Sequence, residues 1–235
     1  MKVWRPGRVV ATVLAALLAA CTQPVVAPPD QGQGGPVDFP VAYYRRLLAE
    51  GAPVFGIDPA GSLVVMEVRR GGTFSQFGHD HVVASHDVAG SIAPVDGRAD
   101  LYVSLDALTV DEPLLRTEAG FDTQPDPDDI AGTRRNMLVR VLDTGRYPYA
   151  QIAVDNVNSG GREDRLRFAL TLHGVTRFVD AAAELNKTDE EIVVTGTVAI
   201  DQTEFGIVPF SILGGAISVQ DRVKIRFRIL ARRMR

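Results

Sequence analysis

One cysteine, Cys21, is all the thiol chemistry this 235-residue chain holds. In an oxidising compartment a lone thiol is a free reactive group or a partner for another chain, never an internal crosslink. Apolar runs are short as well: none reaches the roughly 20 residues needed to cross a bilayer. Basic side chains do not cluster with aromatic ones, and the basic tail Arg232, Arg233 and Arg235, broken by Met234, reads as a solvated terminus, so a nucleic-acid site is excluded. There is no phosphate-cradling glycine loop, no dinucleotide fingerprint and no Gly-x-Ser-x-Gly elbow. Ser85-His86-Asp87 has the letters of a triad, but sequence neighbours do not converge as one in space, and the chain is read as a non-enzyme. The acidic stretch Asp122 to Asp129 is interrupted by Pro125 and Pro127 and reads as a solvated loop, since a calcium loop spaces its carboxylates around a glycine turn. No repeat of fixed period is visible.

What is present begins at the N-terminus. Lys2, Arg5 and Arg8 precede the short apolar run Val9 to Ala20, which ends in Leu18-Ala19-Ala20-Cys21. Charge, a short apolar stretch and small residues before the cut describe a secretory signal. The last four residues resemble a bacterial lipobox, in which the cysteine becomes the lipid-bearing first residue of the mature protein. That accounts for a lone Cys21 without a free thiol. The layout expected is a signal peptide over 1–20, a lipidated N-terminus with a flexible tether over 21–38, and one domain over 39–235. The tether holds Pro24, Pro28, Pro29 and Pro36 among Gly and Gln, a composition with too little apolar surface to fold. Thr22 lacks the aspartate associated with inner-membrane retention, so the expectation is a lipid-anchored, periplasm-facing envelope protein, on the outer membrane where there are two. The formal net charge of −4 includes the basic signal, so the mature chain is more acidic still.

From Ser62 onward a period of two dominates, placing alternate side chains on opposite faces of a strand. Val223, Ile225, Phe227 and Ile229 alternate with Arg222, Lys224, Arg226 and Arg228. Leu166, Phe168, Leu170 and Leu172 repeat the pattern, as do Ile192, Val194, Val198 and Ile200 around Gly196, and Leu101, Val103 and Leu105. With 63–69, 86–93, 149–157 and 175–185, about eight strands emerge. Helices are expected over Asp128 to Leu142 and, shorter, over Val41 to Ala49. One-sided strands with few helices call for an all-β fold, a single antiparallel lipocalin-like barrel of about eight strands with one or two short helices. A two-sheet sandwich fits the same pattern as the alternative.

Three stretches resemble the YceI-like family of secreted lipid-binding proteins. They are Asn136-Met137-Leu138 through Val141-Leu142-Asp143-Thr144-Gly145-Arg146-Tyr147-Pro148, then Leu170-Thr171-Leu172-His173-Gly174-Val175-Thr176-Arg177, then Asp201-Gln202-Thr203-Glu204-Phe205-Gly206-Ile207. The resemblance covers roughly Gly56 to Leu230. It implies a barrel whose long apolar cavity holds an isoprenoid or other amphiphilic lipid. The wall is then expected from the inward apolar faces, with Phe168, Leu170, Leu172, Val198, Phe205, Ile225, Phe227, Met137 and Val141 as ligand-binding residues. The plain alternative is that the same stripes fill a packed core. His173-Gly174 fits a tight hairpin in which glycine takes positive φ.

Gly78-His79-Asp80-His81, followed by His86, gathers three of the four histidines. On a strand His79 and His81 point to one side, two residues apart, and imidazole suits zinc or copper. His86 joins them only through a turn. The other reading is a polar rim at the barrel mouth. Three functional expectations follow: a lipid-anchored carrier or store of a hydrophobic ligand, a periplasmic metal-binding protein using His79, His81 and His86, or a non-binding accessory subunit of an envelope complex.

Overall fold

Valine, isoleucine and phenylalanine at every second position build the strands that the alternation predicts, and backbone pairing closes them on themselves. The computed structural model describes residues 1, 34–155 and 165–235; the stretches expected to be signal peptide and tether, up to residue 33 and with Cys21 among them, lie outside the described residues. The unit Gly35–Arg235 contains everything that follows.

In chain order it contains α1 (Val41–Ala49), β1 (Phe55–Ile57), β2 (Leu63–Val68), β3 (Arg70–Gly71), β4 (His81–Ser85), β5 (Val88–Ala93), β6 (Arg98–Ser104), β7 (Thr109–Val110), α2 (Pro113–Glu118) and α3 (Pro127–Asn136). Then come β8 (Tyr149–Asp155), β9 (Arg165–Leu172), β10 (Val175–Lys187), β11 (Glu191–Asp201), β12 (Ser211–Ile212), β13 (Ile217–Val219) and β14 (Arg222–Arg233). The main sheet runs β1-β5-β6-β8-β9-β10-β11-β14, and β14 pairs back onto β1 to close an eight-strand antiparallel barrel. Closure rules out the sandwich.

Three of the eight staves are broken. β2 and β1 lie end to end along the same edge of β14, Leu63 opposite Arg228 and Ile57 opposite Ala231. β4 pairs with β2 where β5 pairs with β1, and β7 pairs with β4 where β6 pairs with β5. The first break is made by Asp58-Pro59: the Asp58 carboxylate accepts from the Ala60 N–H at 3.0 Å and Pro59 starts a single tight turn. β5 then bends at Gly90 (φ +148°), where a Cβ would meet the Asp100 carbonyl oxygen at 2.3 Å. A second sheet, β12-β13-β3, sits beside the barrel.

Inward residues form the main apolar cluster, including Val83, Leu101, Phe168, Leu170, Ile200, Val223 and Ile229. Two outer patches are also apolar because helices cover them. α1 brings Tyr44 and Leu47 onto Val54 and Ala93, and the Tyr44 hydroxyl donates to Asp100 at 2.6 Å. α2 and the following Phe121 cover Val65, Val82 and Ala84.

The two ends of the barrel differ. One carries the β9–β10 hairpin, whose residues His173 and Gly174 both have positive φ (53° and 74°), the signature of a type I′ turn. Val68, His81 and Gln202 belong to this end by register. The sequence predicts one helix over 128–142; α3 instead stops at Asn136 and the chain continues through a π turn, Met137–Val141, with the Leu142 N–H donating to the Met137 carbonyl at 2.8 Å. Arg134 pins α3 to the β6–β7 bend by donating to the carbonyls of Leu108, at 3.0 Å, and Asp106.

Candidate functional site: an apolar cavity through the barrel

Side chains pointing inward from all eight staves do not meet in the middle. They enclose a cavity of about 870 Å³, toward the upper end of the range of about 300–1,000 Å³ usual for ligand pockets. Its lining runs from His81 and Gln202 at the hairpin end to Arg165 and Lys187 at the other, so it follows the barrel's length. The wall between is aliphatic and aromatic: Val64 and Met66 of β2, Leu101 and Val103 of β6, Ile152 of β8, Ile225 and Phe227 of β14.

Phe168, Leu170, Leu172, Val198, Ile225 and Phe227 all line this space, as do Met137 and Val141. The π turn explains the last two. Its wider spacing keeps Met137, Val141 and Leu142 on the cavity side, while Val139 is exposed. Phe205 is placed differently. It lies in the short turn 202–205 after β11 and is fully buried (0 % exposed) away from the cavity, packed with Ile207 in the surrounding core. Strand alternation does not extend past Asp201, so the periodicity that placed the other residues had no force there.

Gly196 lies on β11 opposite the cavity-lining Phe227. A Cβ on it would meet Phe227 Cζ and the Ala182 carbonyl oxygen, each at 2.6 Å, so its missing side chain is what lets Phe227 lie across β11.

The histidines separate. His79 and His81 are close, with ring centroids 6.2 Å apart, but His86 lies at the far end of β4, about 16 Å along the strand at about 3.3 Å per residue. Each has its own acidic neighbour: His79 Nε2 is 3.8 Å from Asp129, His81 Nδ1 is 2.7 Å from Asp111, and His86 Nε2 is 2.9 Å from Glu112. No group of three or more His, Cys, Asp or Glu side chains able to hold a metal occurs among the described residues.

His81 alone of the three histidines lines the cavity. Its partner Asp111 is buried, sits at φ 58°, and is the centre of a network that composition gave no sign of. Asp111 Oδ1 accepts from the Val82 N–H at 3.0 Å and from Arg116 at 2.5 Å, and Arg116 also donates to the Asp80 carbonyl at 2.6 Å. Burial works against the charged carboxyl, yet the hydrogen bonds from His81, Val82 and Arg116 outweigh it and hold Asp111 below the ordinary aspartate value. Arg116, only 1 % exposed, is paired with Asp111 at 2.5 Å, which offsets the cost of burying the two charges.

The three stretches singled out in the sequence converge at the hairpin end. The Tyr147 ring lies 4.6 Å from that of His173, and a Cβ on Gly206 would lie 3.9 Å from both His173 Nδ1 and Val175 Cγ2. The model of the YceI-like domain matches residues 55–231. The chain belongs to the YceI-like family. Solved structures sharing this YceI-like fold include a polyisoprenoid binding domain from Saccharophagus degradans implicated in plant cell wall breakdown, with TM-score 0.55 and 14 % identity over 76 % of this chain and 97 % of that one. Burkholderia cenocepacia BcnA is another, with TM-score 0.53 and 16 % identity over 74 % and 98 %. At such identities the likeness is one of fold. No curated protein sequence matches the chain.

Proposed function

We propose that this YceI-like protein is an envelope lipoprotein, anchored through Cys21, that holds one isoprenoid-like or other amphiphilic lipid in its barrel as a carrier or store. The observation that carries the reading is the aliphatic cavity of about 870 Å³ running the length of the barrel. A filled core would leave no such space, since protein interiors pack to crystal density. The Saccharophagus domain of the same fold, described as polyisoprenoid binding, supports the ligand class.

The energetics are adequate without a special polar contact. Burying a chain of about ten carbons at about 0.8 kcal/mol each gives a gross gain of about 8 kcal/mol, from which the cost of ordering ligand and wall is subtracted. A longer prenyl chain adds to the gain in proportion. A tether at the membrane raises the local concentration of a carrier whose cargo scarcely leaves lipid.

Calorimetric titration of lipid-stripped protein with geranylgeraniol tests the proposal. Saturation at one molecule per chain with a negative heat-capacity change is expected, because apolar surface leaves water. No heat and no displacement of an apolar dye at any chain length would reject lipid binding.

A further inference from the structure

We propose that the hairpin end of the cavity is a head-group site, where His81 Nε2 accepts a hydrogen bond from a free, uncharged hydroxyl on the bound amphiphile. This rests on the lipid reading above and adds to it the head-group chemistry and the ligand's direction in the barrel.

The tautomer follows from the partners. An ionised carboxylate only accepts, and Asp111 faces His81 Nδ1 at 2.7 Å, so Nδ1 carries a proton and the neutral tautomer has its lone pair on Nε2. Nε2 has no hydrogen-bond partner among the described residues. By strand alternation with Val83 the His81 side chain faces inward, where it lines the cavity. A lone acceptor held at the end of an apolar tube is a built orientation device. Asp111 holds the ring from behind at a positive φ that few side chains tolerate, and Arg116 holds Asp111.

The charges around it select a neutral head. Arg116 already balances Asp111, so this buried pair has no charge left to offer an ion. The other polar groups lining this end, Thr133, Asn136 and Gln202, are uncharged. Arg69 and Arg70 are drawn toward Asp80, at 3.6 and 4.0 Å. α3 opens with Asp126, Asp128 and Asp129, of which Asp129 lies 3.8 Å from His79, and ends with Arg134 and Arg135, with Arg134 turned to the carbonyls of Leu108 and Asp106. No lysine, arginine or carboxylate lines this end of the cavity, so a phosphate or carboxylate head would be buried there without a counterion. The opposite end presents Arg165, Glu184 and Lys187, all exposed and of mixed sign, which remain hydrated and leave the tail side unspecific.

The test compares geranylgeraniol, its methyl ether and its monophosphate as competitors of a fluorescent naphthylamine dye on the lipid-stripped full chain. The alcohol is expected to bind about fivefold tighter than the ether, the worth of one net hydrogen bond, and tighter than the phosphate. His81→Phe should bring alcohol and ether to equal affinity; His81→Gln, which keeps an acceptor, should restore part of the alcohol's advantage. Nitrogen-15 spectra of histidine-labelled wild-type protein give a reading free of any variant: Nδ1 protonated throughout, with only Nε2 of His81 shifting as the alcohol is added. Equal binding of alcohol and ether, an advantage that survives His81→Phe, or tightest binding of the phosphate overturns the head-group site and leaves lipid binding standing. If all three bind equally poorly to every protein, the lipid reading itself falls.

Discussion

Val198→Trp probes the hollow barrel most sharply. Val198 points from β11 into the cavity opposite Ile225, in the stretch that a prenyl chain would occupy. The new side chain carries about seven more non-hydrogen atoms; if it displaces about four ligand methylenes at about 0.8 kcal/mol each, binding weakens by about 3 kcal/mol, about two hundredfold. The same change inserted into a packed core costs about 1–3 kcal/mol of stability by overpacking, but in an empty tube that penalty is largely absent. The two accounts thus predict opposite outcomes. The chain's single tryptophan is Trp4, so the variant also places the barrel's only indole in the cavity, where emission reports on its surroundings. The assay is dye competition by linear alcohols of increasing length, alongside thermal melting. Wild-type affinity should climb with each added carbon, while the variant should level off several carbons earlier at an unchanged melting temperature. A melting temperature lowered by several degrees with no change in the chain-length series would show that the interior is filled and refute the reasoning.

Gly196→Ala should destabilise by about 1–3 kcal/mol in denaturant melts, because its Cβ meets the Phe227 ring and the Ala182 carbonyl at 2.6 Å; a neutral result would mean that Phe227 moves freely. Asp111→Asn, which leaves Arg116 buried without its anion, should cost about 3–5 kcal/mol at neutral pH. The sign with pH is fixed: the folded carboxyl lies below its ordinary 3.8, so the folded state binds fewer protons, and the stabilisation is complete above that value and lost as pH falls through the folded one. The gap between wild type and variant should thus close only below pH 3.8, and a gap that closes near neutrality would contradict the assignment. Cys21→Ala should abolish labelling by a radioactive fatty acid and release the protein from membranes; equal label on both forms removes the anchor. Zinc titration of the stripped protein should find no site tighter than micromolar, and a tight site lost in His79→Ala with His81→Ala would revive the metal reading.

Much of the barrel was legible because alternation survives wherever one face meets the interior and the other meets water. Val223 to Ile229 against four cationic neighbours left little choice of register, and His173-Gly174 marked its own turn. The broken staves were harder. β1 and β7 are too short for a period of two to declare itself, and Val65, Val82 and Ala84 point outward yet are apolar because α2 covers them. α2 itself is six residues long, with Leu114 exposed and Leu115 buried, which gives no periodic signal. Cavity-lining residues on regular strands were legible from their parity. Phe205 was misplaced because it follows the strand's end, and Asp111 and Arg116 were missed because a single charged residue carries no sign of its burial. His86 could join His79 and His81 only through a turn; the extended path of β4 carries it away from the other two instead.

Whether the cavity holds a lipid in the cell is the central claim, and native purification followed by mass spectrometry of the intact complex and of its solvent extract tests it most directly. The account predicts one hydrophobic molecule per chain, lost on organic extraction and carrying a free hydroxyl. A protein that emerges at its bare polypeptide mass, with no extractable lipid and no uptake of one afterwards, would contradict it.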